Sequence, residues 1–455
     1  MAVWSKITSG KLENFFDCSP EFYQPKYLKL SKKLRSLPLL PVGKLAYITD
    51  GEHGSPQWDN SSNIKYVTAE YIGSNVIKNG KMKTISIVQD KRNARARLQK
   101  NDVLVYSVGA YAGLTAKAEP HLFPANIPRS VAIIRLNNME LVLPGFLSIF
   151  LNCKYGTFQS IRFRAGNSQP VLALEKIKQF EIPLLDIKFQ NEIDNLYDYA
   201  YEKRMTSKSL YSQAQELLEK ELGLDKLVLE KTKSYETSFS EVVDGGRIDA
   251  DYFQVQYLQI KNQIMNYSKG YIPLLKTVDV LAPNVDPHKT PNSRFQYVEL
   301  SNINSSLGMI DGSKSLLGKD TPSRARRKVE TGDILASSVV GSVEKAGIVD
   351  ETKNEGLAST GFFHFRTKGP IVEYLLILIR SLIVKMQLQQ ESTGGILSAV
   401  SETKLKNLII PDFSQEFQNK IAELIKKSHK AKKESEQLLE QAKLRVEELI
   451  EGVVQ

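Results

Sequence analysis

The stretch "IKQFEIPLLDIKFQNEI" (177–193) returns 228 positions later as "LKNLIIPDFSQEFQNKI" (405–421). Seven of the 17 positions are identical, whereas roughly one identity is expected from average composition. A match of this length inside one chain indicates an internal repeat. Such a repeat constrains the fold more strongly than any single motif does.

Further pairs of segments extend the repeat upstream, and they occur in the same order in both copies. The pairs are "NDVLVYS" (101–107) with "GDILASS" (332–338), "YVTAEYI" (66–72) with "YVELSNI" (297–303), "HGSP" (53–56) with "HKTP" (288–291), and "SPEFYQPKYL" (19–28) with "DADYFQVQYL" (249–258). The offsets run from 228 to 235. The sequence therefore predicts one module written twice, with the two His-x-(Ser/Thr)-Pro motifs at equivalent points.

The bulk composition fits a globular protein with more than one domain. The chain has 455 residues, which is too long for one ordinary hydrophobic core, and 42% of them are apolar. Its longest apolar runs, such as "YLLILI" (374–379), are too short to span a membrane. Cys18 and Cys153 cannot form a disulfide framework, so we expect a reducing, cytoplasmic location. The net charge of +10 is compatible with a polyanionic partner.

Each copy is predicted to contain an α+β domain followed by a long helix. Short β-branched and aromatic runs, such as "VAIIRL", "GFFHFR" and "GDIL", alternate with turn residues in the domains, whereas the charged segments 187–222 and 413–451 are long and free of proline. The predicted domain limits are 1–186 for the first domain, 187–228 for the first helix, 229–412 for the second domain and 413–455 for the second helix.

The two long segments carry residues three and four apart that would form an interhelical seam. The chain order predicts antiparallel helices in a coiled coil that holds two similar domains apart, related by a pseudo-twofold axis. Lys203 and Arg445 interrupt the seam, so we expect loose pairing. The run "KKSHKAKK" (426–433) is interpreted as the solvated outside of the helix, with a basic binding patch as the alternative. The predicted seam residues are Ile193, Leu196, Ser207, Leu210, Ala214, Ile421, Leu424, Ser435, Leu438 and Ala442.

No catalytic motif stands out in the sequence. There is no phosphate-binding G-x-x-x-x-G-K-[S/T], no dinucleotide-binding G-x-G-x-x-G after a strand, no H-E-x-x-H, and no Cys/His cluster with zinc spacing. The chain also contains no Pro-Pro pair, so the Asp/Asn-Pro-Pro-aromatic loop of adenine methyltransferases is missing. We therefore expect no catalysis and no metal site in this chain.

The duplicated plan and its motifs resemble the DNA-specificity subunit of Type I restriction–modification systems. The motifs that carry the resemblance are "DGEHGSP" (50–56), "IDADYF" (248–253), "GDIL" (332–335), and "IIP" (409–411) before "EFQNKI" (416–421). The second copy reads "NVDPHKTP" and lacks the Asp-Gly pair of the first. The resemblance covers nearly the whole chain, and it depends on the order of these motifs in both copies.

The resemblance implies two target-recognition domains, each of which reads one half of a bipartite site in double-stranded DNA, and helices that set the gap between the half-sites. It implies assembly with two methyltransferase subunits and two restriction or motor subunits. S-adenosylmethionine, Mg²⁺ and ATP would bind to those partners, and this chain would hold no cofactor. The assembled complex would be an adenine-specific DNA methyltransferase and an ATP-dependent endonuclease.

Candidate DNA contacts are basic or polar residues at matched places in the two copies. The basic clusters contribute Lys91, Arg92, Arg95, Arg97, Arg324, Arg326, Arg327 and Lys328. The His-x-(Ser/Thr)-Pro loops contribute His53, Ser55, His288, Lys289 and Thr290. Other matched segments contribute Tyr111, Arg162, Arg164, Gln169, Ser337 and Ser338, with Gly166 and Gly394 allowing close backbone approach.

Alternative interpretations exist for these residues and for the chain. The basic clusters could be solvated loops, and the His-x-(Ser/Thr)-Pro loops could be turns in which Ser or Thr satisfies its own backbone. A two-headed coiled-coil tether that binds protein partners would also have an internal repeat. The helical segments match more closely than the domain loops do, and this favours two domains that read different DNA sequences.

Overall fold

The computed structural model describes residues 6–8, 22–78, 80–166, 168–230, 234, 236–342, 344–392 and 399–453. Cys18 and Gly394 lie outside the described residues. The described residues form two compact units. Unit 1 contains those up to Arg204 and those from Lys433 onward, and unit 2 contains those from Met205 to Lys432.

Both units combine an α+β domain with segments of two long helices, so the predicted α+β class is confirmed. We call residues 22–186 head 1 and residues 236–412 head 2, in each case meaning the described residues. The division between the units falls inside both long helices. The four domain limits taken from the sequence therefore stay predictions.

Head 1 and the first long helix contain eight strands and seven α-helices among the described residues. The strands are β1 (Leu39–Pro41), β2 (Ala46–Asp50), β3 (Lys65–Tyr66), β4 (Val103–Tyr106), β5 (Thr115–Lys117), β6 (Ala125–Asn126), β7 (Val131–Leu136) and β8 (Glu181–Pro183). The helices are α1 (Pro25–Leu34), α2 (Val42–Leu45), α3 (Ile87–Arg92), α4 (Pro144–Asn152), α5 (Lys154–Phe163), α6 (Leu174–Ile177) and α7 (Ile187–Glu221).

Head 2 and the second long helix are richer in strands. The strands are β9 (Tyr271–Pro273), β10 (Val278–Val280), β11 (Arg294–Val298), β12 (Ile303–Asn304), β13 (Met309–Ile310), β14 (Lys314–Leu317), β15 (Ala325–Lys328), β16 (Ile334–Ser337), β17 (Ala346–Ile348), β18 (Leu357–Ser359), β19 (Phe362–Thr367) and β20 (Ile409–Pro411). The helices are α8 (Phe239–Gly245), α9 (Val255–Met265), α10 (Val372–Arg380), α11 (Leu382–Gln390) and α12 (Gln415–Glu451).

Each head contains its own copy of the same four-stranded antiparallel arrangement, which we call the shared sheet. Its strand order is β2-β7-β4-β5 in head 1, and β10-β19-β16-β17 in head 2. A second shared feature is a short two-stranded antiparallel sheet between the start and the end of each head. It pairs β1 with β8 in head 1 and β9 with β20 in head 2. Its register is equivalent, since Leu40 faces Ile182 and Ile272 faces Ile410. The sequence repeat is therefore a repeat of topology.

The shared sheet is buried on both faces, which explains its apolar strands. In β7, Ala132 and Ile134 belong to the core that contains α4 and α5, whereas Val131 and Ile133 belong to a second, smaller core. Head 2 differs beyond this sheet. Strands β13 and β12 extend the sheet to six strands, and β14-β11-β18-β15 forms a separate four-stranded sheet. The heads therefore share a scaffold and diverge in the parts attached to it.

The long helices pair within each unit. In unit 1, Arg445 forms an ion pair with Glu192 at 2.7 Å, and the Ser435 hydroxyl donates to the Ala200 carbonyl oxygen at 2.6 Å. The residue numbers of the contacts on α12 fall as those on α7 rise, so these two helix segments are antiparallel. In unit 2, the Ser428 hydroxyl donates to the carbonyl oxygen of Ser207 at 2.7 Å. Small buried residues thus allow close approach of the helices, as the sequence suggests.

The burial pattern corrects four of the ten predicted seam residues. Six of its residues are buried, namely Ile193, Ser207, Ala214, Ile421, Ser435 and Ala442. The four leucines are only half-buried, namely Leu196, Leu210, Leu424 and Leu438. On α7 the more deeply buried residues lie one position later, at Tyr197, Arg204, Tyr211 and Leu218. The reason is that α7 packs against head cores as well as α12, since Tyr197 joins the core of head 1 and Tyr211 that of head 2.

No helix within the described ranges is both long enough and apolar enough to cross a membrane.

Candidate nucleic-acid interface

Several loops meet at one edge of the shared sheet in head 1. Strands β2 and β4 end at this edge, and β7 and β5, which run antiparallel to them, begin there. Backbone hydrogen bonds join the loops: the Arg129 N–H donates to the Glu52 carbonyl at 3.0 Å, Ser107 N–H to Ser130 at 2.9 Å, and Leu172 N–H to Ser107 at 2.8 Å. We call the described residues of 50–57, 107–113, 127–130 and 164–172 the loop edge of head 1.

Head 2 builds the same edge with equivalent hydrogen bonds. The Ser338 N–H donates to the Gly361 carbonyl at 3.1 Å, and the Val400 N–H donates to the Ser338 carbonyl at 3.0 Å. We call the described residues of 281–291, 338–345, 359–361 and 399–402 the loop edge of head 2. The motifs that the sequence analysis matched in pairs thus converge at equivalent places.

The His-x-(Ser/Thr)-Pro loops occupy this edge in different ways. In head 1, His53 is exposed and its Nε2 lies 3.0 Å from Asp50 Oδ2, and Ser55 is exposed. In head 2, the Thr290 hydroxyl donates to the Pro287 carbonyl at 3.3 Å, which fits the turn interpretation for this residue. His288 and Lys289 are exposed beside it.

The basic cluster of head 1 is tied to the first His loop by ion pairs. Arg95 donates to the Thr49 hydroxyl at 2.6 Å and to Asp50 Oδ1 at 3.2 Å. Arg92 pairs with Glu52 at 3.1 Å. Partial burial raises the pKa of Glu52, but hydrogen bonds from Asn93 and Arg92 outweigh this effect and lower it.

The remaining arginine of this cluster, Arg97, pairs with the buried Asp90 at 2.6 Å. Lys91 is exposed. Three of the four residues predicted to contact DNA here therefore already have carboxylate partners within head 1.

The basic cluster of head 2 is tied down in the same manner. Arg326 Nη1 lies 2.5 Å from Asp286 Oδ1, as Arg95 pairs with Asp50 in head 1. Arg327 is 3% exposed, pairs with Glu402 at 2.6 Å, and also donates to the Leu281 carbonyl. Lys328 pairs with Glu355. In both heads, a carboxylate of the His loop thus holds an arginine of the cluster.

The segment "RFRAGNSQP" places its two arginines inside the head. Arg162 is 9% exposed, donates to the Phe22 carbonyl at 2.9 Å, and lies 3.8 Å above the Phe22 ring. Gln390 makes the equivalent bond in head 2, to the Tyr252 carbonyl at 3.0 Å. Arg164 is half-buried, and burial lowers its pKa. Arg162 is therefore placed as a packing residue.

The other predicted contacts differ in accessibility. Tyr111 is 60% exposed, with the Lys78 ammonium 5.6 Å from its ring centroid. Gln169 is exposed beside Gly166, whose φ of +88° is one that few other residues adopt. Ser337 is buried and bonds Ser342 at 2.7 Å, and Ser338 donates to the Gly361 carbonyl at 3.0 Å. The two serines thus hold the loop edge together.

Two exposed side chains that the sequence analysis missed, Arg129 and Trp58, lie on or beside the loop edge of head 1. Arg129 lies on the edge of head 1, directly before β7. Trp58 is 47% exposed, is packed edge-on against Tyr66, and has the Lys83 ammonium 4.9 Å from its ring. These residues are isolated in the sequence, whereas the predicted basic contacts lie in clusters. An arginine between a proline and a β-branched run, as in "PRSVAII", is the signal that would have identified Arg129.

Within the described part of the chain, no group of three or more His, Cys, Asp or Glu residues could hold a metal ion. The arrangement offers cationic and polar side chains on two matched edges.

No family model and no curated protein matches the sequence. Among solved structures, the Type-I restriction-modification system S subunit from M. genitalium is 12% identical, with 91% of this chain and 94% of that chain covered and a TM-score of 0.44. The HsdS subunit from Thermoanaerobacter tengcongensis is 14% identical, with 92% and 97% covered and a TM-score of 0.30. A structure that describes complex assembly and conformational transition of the type I R-M system is 14% identical, with 91% and 97% covered and a TM-score of 0.29.

Proposed function

We propose that this chain is the non-catalytic DNA-recognition subunit of a Type I restriction–modification complex. Each head would read one half of a bipartite site in double-stranded DNA, and the antiparallel helices would set the gap between the half-sites. One observation carries the proposal: the two heads share a sheet, a loop edge and a carboxylate-held arginine, yet differ in the exposed side chains at that edge. A duplicated scaffold with two different surfaces suits the reading of two different sequences.

Binding would combine phosphate contacts, which give affinity, with contacts to base edges, which give specificity. The net charge of +10 favours association with a polyanion. At the loop edges, His53, Lys289 and Tyr111 are exposed and could contact either the backbone or the bases.

The partners in this proposal are two methyltransferase subunits and two restriction or motor subunits. S-adenosylmethionine, Mg²⁺ and ATP would bind to those subunits. Exposed apolar side chains in unit 2 offer a surface for a protein partner. They lie on and between the first two helices of head 2, at Phe239, Val243, Ile248 and Leu258.

A two-headed tether that binds proteins is the second candidate function. The observation that favours it is an exposed apolar group beside the loop edge of head 1, where Trp58, Ile87 and Val88 are 47%, 56% and 69% exposed. Lys83 and Lys91 flank this group, however, and this suits a nucleic-acid surface as well as a protein one.

The decisive experiment is to map adenine methylation in the genomic DNA of the source organism, with and without the gene for this chain. We expect a bipartite motif that disappears on deletion and returns when the chain is restored. A methylation pattern that does not depend on the chain would contradict the proposal and favour the tether.

A further inference from the structure

Each unit contains one arginine that is exposed and has no side-chain partner among the described residues: Arg129 in unit 1 and Arg324 in unit 2. The other exposed arginines of the two heads bond an acidic or hydroxyl side chain, as Arg92 and Arg95 do in head 1 and Arg294 does in head 2. A guanidinium that is already bonded to a carboxylate must give up that partner, or share it, to bind a phosphate or a base.

Arg129 is fixed by its backbone while its side chain is available. Its N–H donates to the Glu52 carbonyl at 3.0 Å, and its own carbonyl accepts from the Ser107 hydroxyl at 3.1 Å. The residue therefore joins the His loop to the loop that follows β4. These backbone hydrogen bonds fix the Cα position of Arg129 and leave the N–H groups of its guanidinium available to a ligand.

Arg324 reaches the equivalent junction from a different segment. The Ser338 N–H donates to the Gly361 carbonyl in head 2 as the Ser107 N–H donates to the Ser130 carbonyl in head 1. Thr360, which precedes Gly361, therefore has the place in head 2 that Arg129, which precedes Ser130, has in head 1. The Thr360 N–H donates to the Arg324 carbonyl at 2.8 Å. Both heads thus have one exposed arginine at this junction, although Arg129 supplies its N–H and Arg324 supplies its carbonyl oxygen, and the two arginines are not equivalent in sequence.

We propose that Arg129 and Arg324 are the arginines that contact DNA in the first and second half-sites, and that Arg95 and Arg326 are positioning residues that hold the His loops. This inference rests on the proposed function. It divides the predicted basic clusters into residues that touch the nucleic acid and residues that shape the edge, because a side chain without a partner keeps all of its N–H donors for a ligand.

The test uses the full chain assembled with its methyltransferase subunits, and duplexes that carry the methylated bipartite motif with either half-site scrambled. Arg129→Ala should weaken binding about 5- to 150-fold, the range for one arginine contact, and only when the first half-site is intact. Arg324→Ala should do the same for the second half-site. Neither change should alter the thermal midpoint. If the contact is to a phosphate, the salt slope should also fall by about 1.

Arg95→Ala and Arg326→Ala are the matched controls. Because these side chains hold the His loops, their removal should lower the thermal midpoint, and any loss of affinity should leave the salt slope unchanged. Arg129→Lys should keep part of a phosphate contact but lose a bidentate base contact. Wild-type affinity in Arg129→Ala and Arg324→Ala would overturn the inference. A wild-type complex that does not distinguish the motif from scrambled DNA would instead overturn the proposed function.

Discussion

Two buried aspartates, Asp102 and Asp333, make the same contact in the two units. Each precedes a central strand of the shared sheet and receives hydrogen bonds from an arginine of the neighbouring strand, Arg135 at 2.7 and 2.8 Å and Arg366 at 2.8 and 3.0 Å. Asp333 also lies 2.7 Å from His364 Nε2. The Asp of "NDVL" and "GDIL" is therefore a structural residue, which explains its recurrence without a role in DNA binding.

At the residue scale, the stability that Asp333 provides should depend on pH. Burial alone would raise the pKa of this carboxyl from 3.8, but hydrogen bonds from His364 and Arg366 lower it to about 2. The ionised form therefore stabilises the fold above about pH 4, and this contribution of about 2 kcal/mol is lost as the pH falls from about 4 to about 2. Asp333→Asn should lower the thermal midpoint at pH 7, and its difference from wild type should narrow below pH 4.

The control is Asp320→Asn, which changes an exposed carboxyl on the same head. It should leave the midpoint close to that of the wild type across this pH range. A difference between Asp333→Asn and wild type that stays constant from pH 7 to pH 3 would show that the carboxylate is not preferentially ionised in the folded state.

At the scale of the elements, a buried ion pair anchors α7 to head 1. Arg204 and Glu119 are 7% and 2% exposed, and the Ile77 N–H also donates to Glu119 at 3.3 Å. Removal of Arg204 takes the guanidinium away from the buried Glu119 carboxylate, which also has His121 as a neighbour, with Nδ1 3.3 Å from Oε2. Arg204→Met should therefore destabilise unit 1 by about 3–5 kcal/mol, and Arg204→Met with Glu119→Leu should cost clearly less than the sum of the two single changes.

A nearby exposed pair provides the control. Lys203 and Glu434 join α7 to α12 at 2.5 Å, but their side chains are 47% and 31% exposed. Lys203→Met should cost less than about 1 kcal/mol, because an exposed pair is screened by solvent. Thermal unfolding of the wild type, the two single variants of Arg204 and Glu119 and the double variant gives the coupling energy. Additive effects would mean that the two groups do not stabilise each other.

Much of the element structure could be predicted because it depends on local pattern. The run "VAIIRL" is strand β7, and the predicted helix 187–222 begins at Ile187 and ends at Glu221. The sequence could not show which residues of α7 complete the seam. Spacings of three then four residues and of four then three residues share every second seam position and differ by one residue at the positions between. Which alternative is buried depends on the heads against which α7 packs, and those contacts bury Tyr197 and Arg204 where leucine or lysine was expected.

The candidate interface shows the same limit. The sequence revealed the matched loops and basic clusters, because their composition is local. It could not reveal that Asp50 and Glu52 pair with arginines about 40 positions away, as the separations of 45 and 40 residues show. These ion pairs are tertiary contacts, and they are what leaves Arg129 as the available guanidinium.

For the whole molecule, DNA binding should weaken as the salt concentration rises, because each phosphate contact releases counterions. Since most exposed arginines of the heads are paired internally, we expect the isolated chain to bind duplex DNA weakly and with little sequence preference. The slope of log affinity against log salt should correspond to only a few contacts, well below the net charge of +10. Fluorescence anisotropy across a salt series measures this slope. An affinity that does not change with salt would contradict a phosphate-dominated interface.

The repeat also predicts how a half-chain should assemble. In unit 1, the last turns of α12 pack into the core of head 1 through Ala442, Val446 and Ile450. In unit 2, the residues 228 positions earlier pack into the core of head 2, namely Ala214 and Leu218 on α7 and Leu222 directly after it. A fragment of residues 1–229 lacks α12 but retains α7. Its α7 should therefore fill the vacant place on head 1 of a second copy, and give a twofold-symmetric dimer with an isologous contact.

Such a dimer would present head 1 twice. With the methyltransferase subunits, it should modify an inverted repeat of the first half-site, with a gap close to the natural one. Leu218→Asp should make the fragment monomeric, because it places a charge in the core contact, whereas Ser212→Asp on the exposed face should leave the dimer intact. Light scattering of the fragment and its two variants, followed by methylation of palindromic and asymmetric duplexes, tests each step. A monomeric unmodified fragment, or a dimer that modifies only asymmetric sites, would show that the two helices are not interchangeable, and the pseudo-twofold arrangement inferred from the repeat would then be wrong.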